Sequence, residues 1–566
     1  MAATRSISVG RLIAQALADA GVGFAFTVPG ESFLPLLEAL PQAGIRVVAT
    51  RHEGGAAFMA EAVGSLTGRP AACLGTRAVG AANLAIGIHT ARQNSTPMVA
   101  IVGQVERELR GREAFQEVEQ AESFGRLAKW AAELDEPAAM AEMLGAALRT
   151  MATGRPGPVY LSVPEDVFGE WLPETTTVDV AGTPPAQPDG TAVQAVVDLL
   201  ARAERPAIIA GGGVRLSGAR DLLVELSEQL EVPVFAAWRR PDVFPNDHPH
   251  YLGMTGYGSP ATVRERLAAA DALLVIGCRL NEIASFGYAI PAPTTRWAHV
   301  DLAPRAEAIG GLPPADLPLA ADATAFLRAA VEVAAALPAV ERARREELAD
   351  DRDVYVAARG PDTDDRGTRG VHPGRVVETL QRMLPPEAIL TTDAGNFGLW
   401  PARSFRFTRP ATFLGPTSGA MGYGLPAAIA ASLCRPDVPV VAMCGDGGFA
   451  MTMSELETAV RERARIIALV FDNRRYGTIA MHQRRGGHDQ VATELGPIDF
   501  SAVARACGAQ GGRVTRDAEL EPALRDALAA ERPAVIQLEV DPAWVSPGVV
   551  AEASQPQGGR VSRSPG

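Results

Sequence analysis

Lysine is almost absent from this chain of 566 residues: of its 53 basic side chains only Lys129 is a lysine, and the others are arginines. That scarcity excludes a G-x-x-x-x-G-K-[ST] phosphate loop and leaves Lys129 as the single side chain able to form a Schiff base. Cysteine is scarce as well. Cys73, Cys278, Cys434, Cys444 and Cys507 are scattered, odd in number and never arranged as C-x-x-C, so neither a zinc site nor a disulfide framework is indicated. They read as small core residues in a reducing compartment. Basic charge is outweighed by 66 acidic residues, giving a net charge of −13. A nucleic-acid or anionic-membrane partner needs a concentrated basic face, and the acidic balance argues against both. The N-terminal stretch MAATRSISVGRLIAQALADAGV has no secretory h-region or cleavage site. The uncharged stretch 411–434 is broken by Gly, Pro, Thr and Ser and does not read as a membrane span. A cytoplasmic protein is expected.

What is present is a rhythm. Short β-branched runs alternate with alanine-rich stretches of helical period, the signature of parallel βαβ units. FAFTV, RVVAT, AACLGT, MVAIVG and PVYLSV are strand candidates in a first segment, with helical stretches such as 54–67 and 82–93 between them. PAIIAGG, VPVFAA, ALLVIGC and RWAHVDL follow in a second segment, then AILTTD, PVVAMCG, RIIALVFD and AVIQLEV in a third. These runs are nearly continuous hydrophobics, as strands covered on both faces must be. Two stretches rich in Pro, Gly or charge, 173–191 and 350–373, read as linkers. The expected fold is therefore α/β, with three doubly wound domains and mainly parallel sheets spanning 1–172, 192–345 and 372–548, and a disordered tail over 549–566.

The sharpest local signal is VPVVAMCGDGGFAMTMSELETAVRERARIIALVFDNRRYG. A hydrophobic run ends at Gly445-Asp446-Gly447-Gly448, a helical stretch follows, and the next run ends at Asp472-Asn473. In open α/β sheets ligands bind beyond the carboxyl ends of strands. Asp446 and Asn473 sit at two such ends, one αβ unit apart, so two oxygen ligands converge on one crevice. A carboxylate, an amide oxygen, a backbone carbonyl and phosphate oxygens suit octahedral Mg²⁺, and the glycines let the backbone approach the phosphates. Gly-Asp-Gly by itself is equally a turn, and Asn473 by itself a cap; the paired spacing separates the two readings.

That pair of motifs resembles the thiamine diphosphate binding motif, and the chain is similar to the acetolactate synthase group along nearly its full length. The stretches that carry the likeness are RHEGGAAFMAEAVGSLTG, AANLAIGIHTARQNSTPMVAIVGQV, EAFQE, GRPGPVYLSVP and TSGAMGYGLPAAI, together with 446–477. The resemblance implies a fold of pyrimidine-binding, middle and diphosphate-binding domains. It implies Asp446 and Asn473 as side-chain ligands of Mg²⁺, with Arg475 giving its backbone carbonyl. Gly445, Gly447, Gly448 and Asn396 would surround the diphosphate, with Tyr476 and Gly477 beside them. Gly419 would accept a hydrogen bond from the aminopyrimidine, and Met421 would wedge beneath the bent cofactor, although a methionine among Ala and Gly is otherwise core filler.

Glu53, in RHEGG, follows the apolar run 45–49 at a strand-to-helix transition, where a first-turn glutamate facing the helix dipole is the ordinary explanation. HEGGA lacks the second histidine of H-E-x-x-H. The resemblance makes Glu53 the glutamate that hydrogen-bonds the aminopyrimidine and promotes its imino tautomer, so that the thiazolium attacks a 2-oxo acid, CO₂ leaves and the ring acts as electron sink. In the family this glutamate and the diphosphate site lie on different subunits, which implies a homodimer, with a tetramer open.

The chain also departs from the group's pattern. Where T-S-G-P-G-A-T-N is common it reads Thr76-Arg77-Ala78-Val79-Gly80-Ala81-Ala82-Asn83. A lysine expected after GRPGPV-x-x-x-P is Glu165, and VPGES at 28–32 replaces the usual P-G-G. The tryptophan that selects 2-oxobutyrate is absent; the segment is Met481-His482-Gln483. Gln104, Phe115, Gln116 and His482 remain as substrate-side candidates. Gly211-Gly212-Gly213 is a weak dinucleotide cue, a lone cluster being more often a tight turn. Acetolactate synthases hold FAD in this domain, where other relatives bind ADP or nothing; Arg155, Gly212, Gly213 and Arg279 match positions near that flavin. The function expected is decarboxylation of a pyruvate-like 2-oxo acid and carboligation of the acyl fragment to an acceptor carbonyl. The alternative is a decarboxylase or C–C lyase of the benzoylformate decarboxylase or cyclic-diketone hydrolase kind. A non-catalytic cofactor-binding relative would not need Glu53 with Asp446 and Asn473, and a Rossmann dehydrogenase would need the absent G-x-G-x-x-G.

Overall fold

Each strand run is bounded by turn residues and covered by alanine-rich helices, and the outcome is three separate six-stranded sheets, all parallel. The computed structural model describes residues 6–184, 187–308, 311–338, 342–364 and 369–550. In the first sheet the strands Phe24–Thr27, Arg46–Ala49, Ala71–Thr76, Met98–Gln104, Trp130–Glu133 and Pro158–Pro164 lie in the spatial order second, first, third, fourth, sixth, fifth. The third sheet repeats that order with Ile389–Thr392, Phe413–Leu414, Val440–Gly445, Ile466–Asp472, Gln510–Val514 and Ala534–Glu539. The central sheet, from Pro206–Ala210 to Leu317–Ala320, runs third, second, first, fourth, fifth, sixth, the order of doubly wound nucleotide-binding folds.

The helix Glu53–Thr67 shows how sequence sets an element. The His52 side chain caps its first turn by accepting from Gly54 N at 2.9 Å, and Gly68, in the left-handed region at φ 73°, ends it. Fourteen of its fifteen residues are buried, because it packs on the helix Arg77–Asn94 of its own domain and on Gly424–Cys434 of the third. Small side chains permit this: a Cβ on Gly87 would lie 2.3 Å from the Ala57 Cβ. Phe58 meets Tyr423 edge to face at 5.5 Å, in a core built jointly by the first and third domains. Burying each such side chain contributes about 1.5–3 kcal/mol. The central domain has its own core.

Some sequence expectations are corrected. The stretch 350–373 begins as helix, since Arg342–Ala358 continues through it, and Leu348 and Tyr355 join the central core. Residues 171–173, at the edge of the other expected linker, form a short strand antiparallel to Ser6–Ser8. Val549–Val550 pair with Trp544–Ser546, and the rest of the expected disordered tail lies outside the described residues. All five cysteines are free, with burial pushing the Cys73 thiol up to about 12. Among the described residues no helix is long and apolar enough to cross a membrane.

Candidate functional site

The carboxyl ends of three neighbouring strands of the third sheet build the site. Val440–Gly445 is almost wholly buried, and Asp446 opens the helix Asp446–Thr452 directly beyond it. Gly445 is level with Phe471 on the adjacent strand, which brings Asp472 and Asn473 alongside Asp446. Asp446 is buried; its Oδ1 accepts from Gly447 N at 2.8 Å, whereas Oδ2 has no partner among the described residues. Burial, reinforced by Asp472, raises its pKa to about 6. Asp472 is itself held by Gln537 Nε2 at 2.7 Å from the next strand. On the other side, Ile389–Thr392 leads to Asp393, fully buried and accepting from Gly424 N at 2.6 Å, its pKa raised by burial to about 6.

These ends enclose a cavity of about 250 Å³. Asn396, Gly419 and Met421 line it, as do Gly445, Asp446, Gly447 and Gly448. Asn473, Arg475, Tyr476 and Gly477 complete the predicted set on its wall. Gly419 has φ 72°, a left-handed position that favours glycine, and a Cβ on Gly448 would come within 2.4 Å of Asp393 Oδ2. Asn396 accepts from Thr478 Oγ1 at 2.8 Å, tying the loop to the helix Gly477–Arg485. Among the described residues no cluster of three or more His, Cys, Asp or Glu side chains is disposed to hold a metal. The fit is instead to a hard cation: one carboxylate with a free buried oxygen, an amide oxygen and a carbonyl, the rest of the shell coming from phosphate and water.

Glu53 does not line this cavity. Its Oε2 accepts from Asn83 Nδ2 at 2.9 Å, and the loop before it is anchored by Glu455, which accepts from Arg51 N at 3.1 Å and His52 N at 3.0 Å. Gln104 is buried, its amide donating to Val118 O, while Phe115 is 71% exposed. Three of the departures from the family pattern meet here. Arg77, at φ 45°, pairs with Glu165 at 2.8 Å and Glu31 at 3.2 Å and lies over the Phe115 ring, and Gln116 O accepts from Ala78 N. Arg77 thus sits between two carboxylates, one of them at the position where the resemblance implies a lysine.

The four residues matched to a flavin site, Arg155, Gly212, Gly213 and Arg279, line one cleft of about 110 Å³ where the central domain meets the other two. Arg155 is engaged by Asp301 at 2.8 Å, and Arg279 by the carbonyls of Arg92 and Gln93. Nothing in these contacts supports FAD there, and no chemistry is assigned to the cleft.

Sequence reasoning missed several participants. Asn83 and Glu455 hold Glu53 and the loop before it, Asp472 reinforces the raised pKa of Asp446, and Asp393 fixes Gly424; Asp393, in TTDAGN, and Asp472 stood at readable strand ends. A second cavity of about 410 Å³ adjoins the first and takes His482 and Met481 on one side but Trp238 and Arg239 of the central domain on the other. The run Trp238-Arg239-Arg240, directly after a strand, was the clue.

Family models match all three parts of the chain. The N-terminal TPP binding domain of thiamine pyrophosphate enzymes matches residues 7–123, their central domain 193–330, and their C-terminal TPP binding domain 393–538. The chain is 33% identical to a probable acetolactate synthase large subunit of Methanocaldococcus jannaschii, covering 97% of this chain and 94% of that one. It is 32% identical to a sulfoacetaldehyde acetyltransferase of Rhodobacter capsulatus over 90% of each. With a catabolic acetolactate synthase of Raoultella terrigena the identity is 30% over 94% of each.

Proposed function

The chain belongs to the thiamine pyrophosphate enzyme family, and on that premise we propose that it is a Mg²⁺-dependent carboligase that decarboxylates a pyruvate-like 2-oxo acid and joins the acyl fragment to an acceptor carbonyl. A carbon–carboxylate bond breaks and CO₂ leaves, a carbon–carbon bond forms to the acceptor carbonyl, and the acceptor oxygen takes up one proton. The observation that carries this reading is the free, buried Oδ2 of Asp446 in the cavity that Asn473 and Arg475 also line.

When bound, thiamine diphosphate supplies the electron sink for the carbon that loses CO₂. The protein's part is to place and protect it. Asp446, Asn473 and the Arg475 carbonyl would hold Mg²⁺, and the close-set glycines would admit the phosphates to backbone N–H groups. Gly419 offers its carbonyl and Met421 its apolar surface. Glu53 holds the exchanging proton at Oε1, the oxygen left without a hydrogen-bond partner among the described residues once Oε2 accepts from Asn83.

Because Glu53 lies outside the cavity, a second copy of the chain delivers it, and the working unit is a homodimer. Apolar residues exposed on both halves support this: Val79 and Ile86 on the helix downstream of Arg77, and Met451 and Ile479 beside the cavity loops. Incubation with pyruvate, thiamine diphosphate and Mg²⁺, following CO₂ and acetolactate together, tests the proposal. Both products are expected. CO₂ alone moves the assignment to a decarboxylase, and neither product removes pyruvate as the donor.

A further inference from the structure

The larger cavity, about 410 Å³, shares Gly395, Asn396, Gly419 and Thr478 with the cofactor cavity. Its charged lining is Arg239, Arg403, Arg485 and the ionisable His482, with no carboxylate. In a chain with 66 acidic residues against 53 basic ones, that segregation of charge is selective.

The arginines differ in what they already bind. Arg403 is a clamp: Nε and Nη2 donate to Ala358 O at 3.1 and 2.7 Å, and Nη1 to Pro547 O. Arg239 makes one hydrogen bond, from Nη2 to Asp393 O at 3.1 Å, lies over the Trp238 ring at 5.3 Å and forms no ion pair among the described residues. Burial lowers its pKa to about 10, against the pull of the Asp393 carboxylate. Its backbone is held at φ 63°, a left-handed conformation strained for a non-glycine residue. Its Nε and Nη1 donors have no hydrogen-bond partner among the described residues, so an incoming anion can engage them beside the nearby Asp393 carboxylate. Arg485 and His482, three positions apart and therefore on one face of the helix Gly477–Arg485, make no side-chain hydrogen bond or ion pair among the described residues. Between the cationic groups the wall is apolar, with Trp238, Met254, Tyr257 and Met481.

We propose that this cavity binds the acceptor, and that the acceptor carries an anionic group remote from its reacting carbonyl, gripped by Arg239 and Arg485 with His482 while its stem lies along Trp238 and Met481. The inference rests on the carboligase reading above and names its acceptor class. A carboxylate, a phosphonate or a sulfonate would meet the same chemistry.

The test uses the full-length protein loaded with thiamine diphosphate and Mg²⁺, pyruvate as donor, and four acceptors: butanal, succinic semialdehyde, 3-phosphonopropanal and 3-sulfopropanal. CO₂ and each ligation product are quantified. At least one charged acceptor is expected to exceed butanal in kcat/KM about tenfold or more, with the gap closing as salt is raised. Which one leads identifies the anion. Arg485→Met, at an exposed position free of core contacts, is expected to bring the ratio close to one; Arg239→Met is the second variant. Equal kcat/KM for butanal and every charged acceptor, or a ratio that survives both substitutions, overturns the proposal. If pyruvate releases no CO₂, the carboligase reading is what has failed. Equilibrium binding of succinic semialdehyde then decides the cavity: weakening in Arg485→Met supports it, and identical binding in both proteins rejects it.

Discussion

The first and third domains share one strand order and one packing interface, yet the same places in the two sheets carry different chemistry. Beyond the third strand, the first domain has Arg77, neutralised by Glu31 and Glu165; the third domain has Asp446, buried with a free oxygen. Beyond the fourth strand, Gln104 in one is closed on its own loop, whereas Asn473 in the other opens to the cavity. After the second strand the first domain places Glu53 at a helix start, and the third places Gly419 and Met421 ahead of its matching helix. Topology therefore fixes where chemistry sits and says nothing about which chemistry it is. In the proposed function one domain is the cradle and the other contributes the single carboxylate of Glu53.

That division can be broken experimentally, and the severest attempt is Glu53→Gln. Turnover is expected to fall about 10²–10⁴-fold, the range of a lost acid–base group, while thiamine diphosphate affinity measured by calorimetry stays as it was. An unimpaired rate ends the assignment. Asp446→Ala addresses the cradle. Outer supporting residues of metal sites typically cost about 10–100-fold in affinity when removed, and a direct ligand should cost at least as much, read as Mg²⁺-dependent cofactor binding. Arg77→Ala, at the equivalent strand end of the first domain, should leave that affinity unchanged.

A third test concerns pH. Asp393 has a pKa of about 6 in the folded protein against an ordinary 3.8, so folding favours its protonated form. Its contribution to stability is present below pH 3.8 and is lost as pH rises through about 6. Relative to Asp393→Asn, the cofactor-free protein should lose about 2 kcal/mol between pH 4 and 7, measured by urea unfolding. Parallel profiles for the two proteins remove Asp393 as a strained group behind the cradle. The smallest effect is expected at the seam, where Arg46 of the first domain meets Glu462 of the third at 2.7 Å with Arg46 nearly half exposed. Arg46→Ala should cost under about 1 kcal/mol and less at high salt. A larger loss means that charge, and not the shared apolar core, joins the two domains.

Much of this was legible from residue order. Central strands are covered on both faces and stand out as unbroken apolar runs, so Val440–Gly445 and Ile466–Asp472 were readable together with their terminal Asp446 and Asn473. Of the edge strands in the three large sheets, only Arg46–Ala49, in RVVAT, was. Trp130–Glu133, Tyr251–Met254, Leu317–Ala320, Phe413–Leu414 and Gln510–Val514 all lie at sheet margins, and all escaped notice. They are short, and Gln510-Gly511-Gly512-Arg513-Val514 has hardly any hydrophobic signal. The charged helix Arg342–Ala358 looked like a linker because only Leu348 and Tyr355, seven positions apart, anchor it in the central core. Partners distant in sequence were illegible for another reason. The ion pair between Arg77 and Glu165 and the hydrogen bonds that fix the loop before Glu53 to Glu455 depend on tertiary packing, which no local pattern encodes.

Tyr423 OH donates to the buried Glu61 at 2.6 Å across 362 positions of chain. The helix that carries Glu61 is finished early during synthesis, but the surface that covers it is made only after the central domain has been translated. At about 5–20 residues per second the helix waits roughly 20–70 s with one apolar flank open. The first domain has one core of its own but cannot close that flank until the third domain is made, whereas the central domain draws its buried core from its own segment alone.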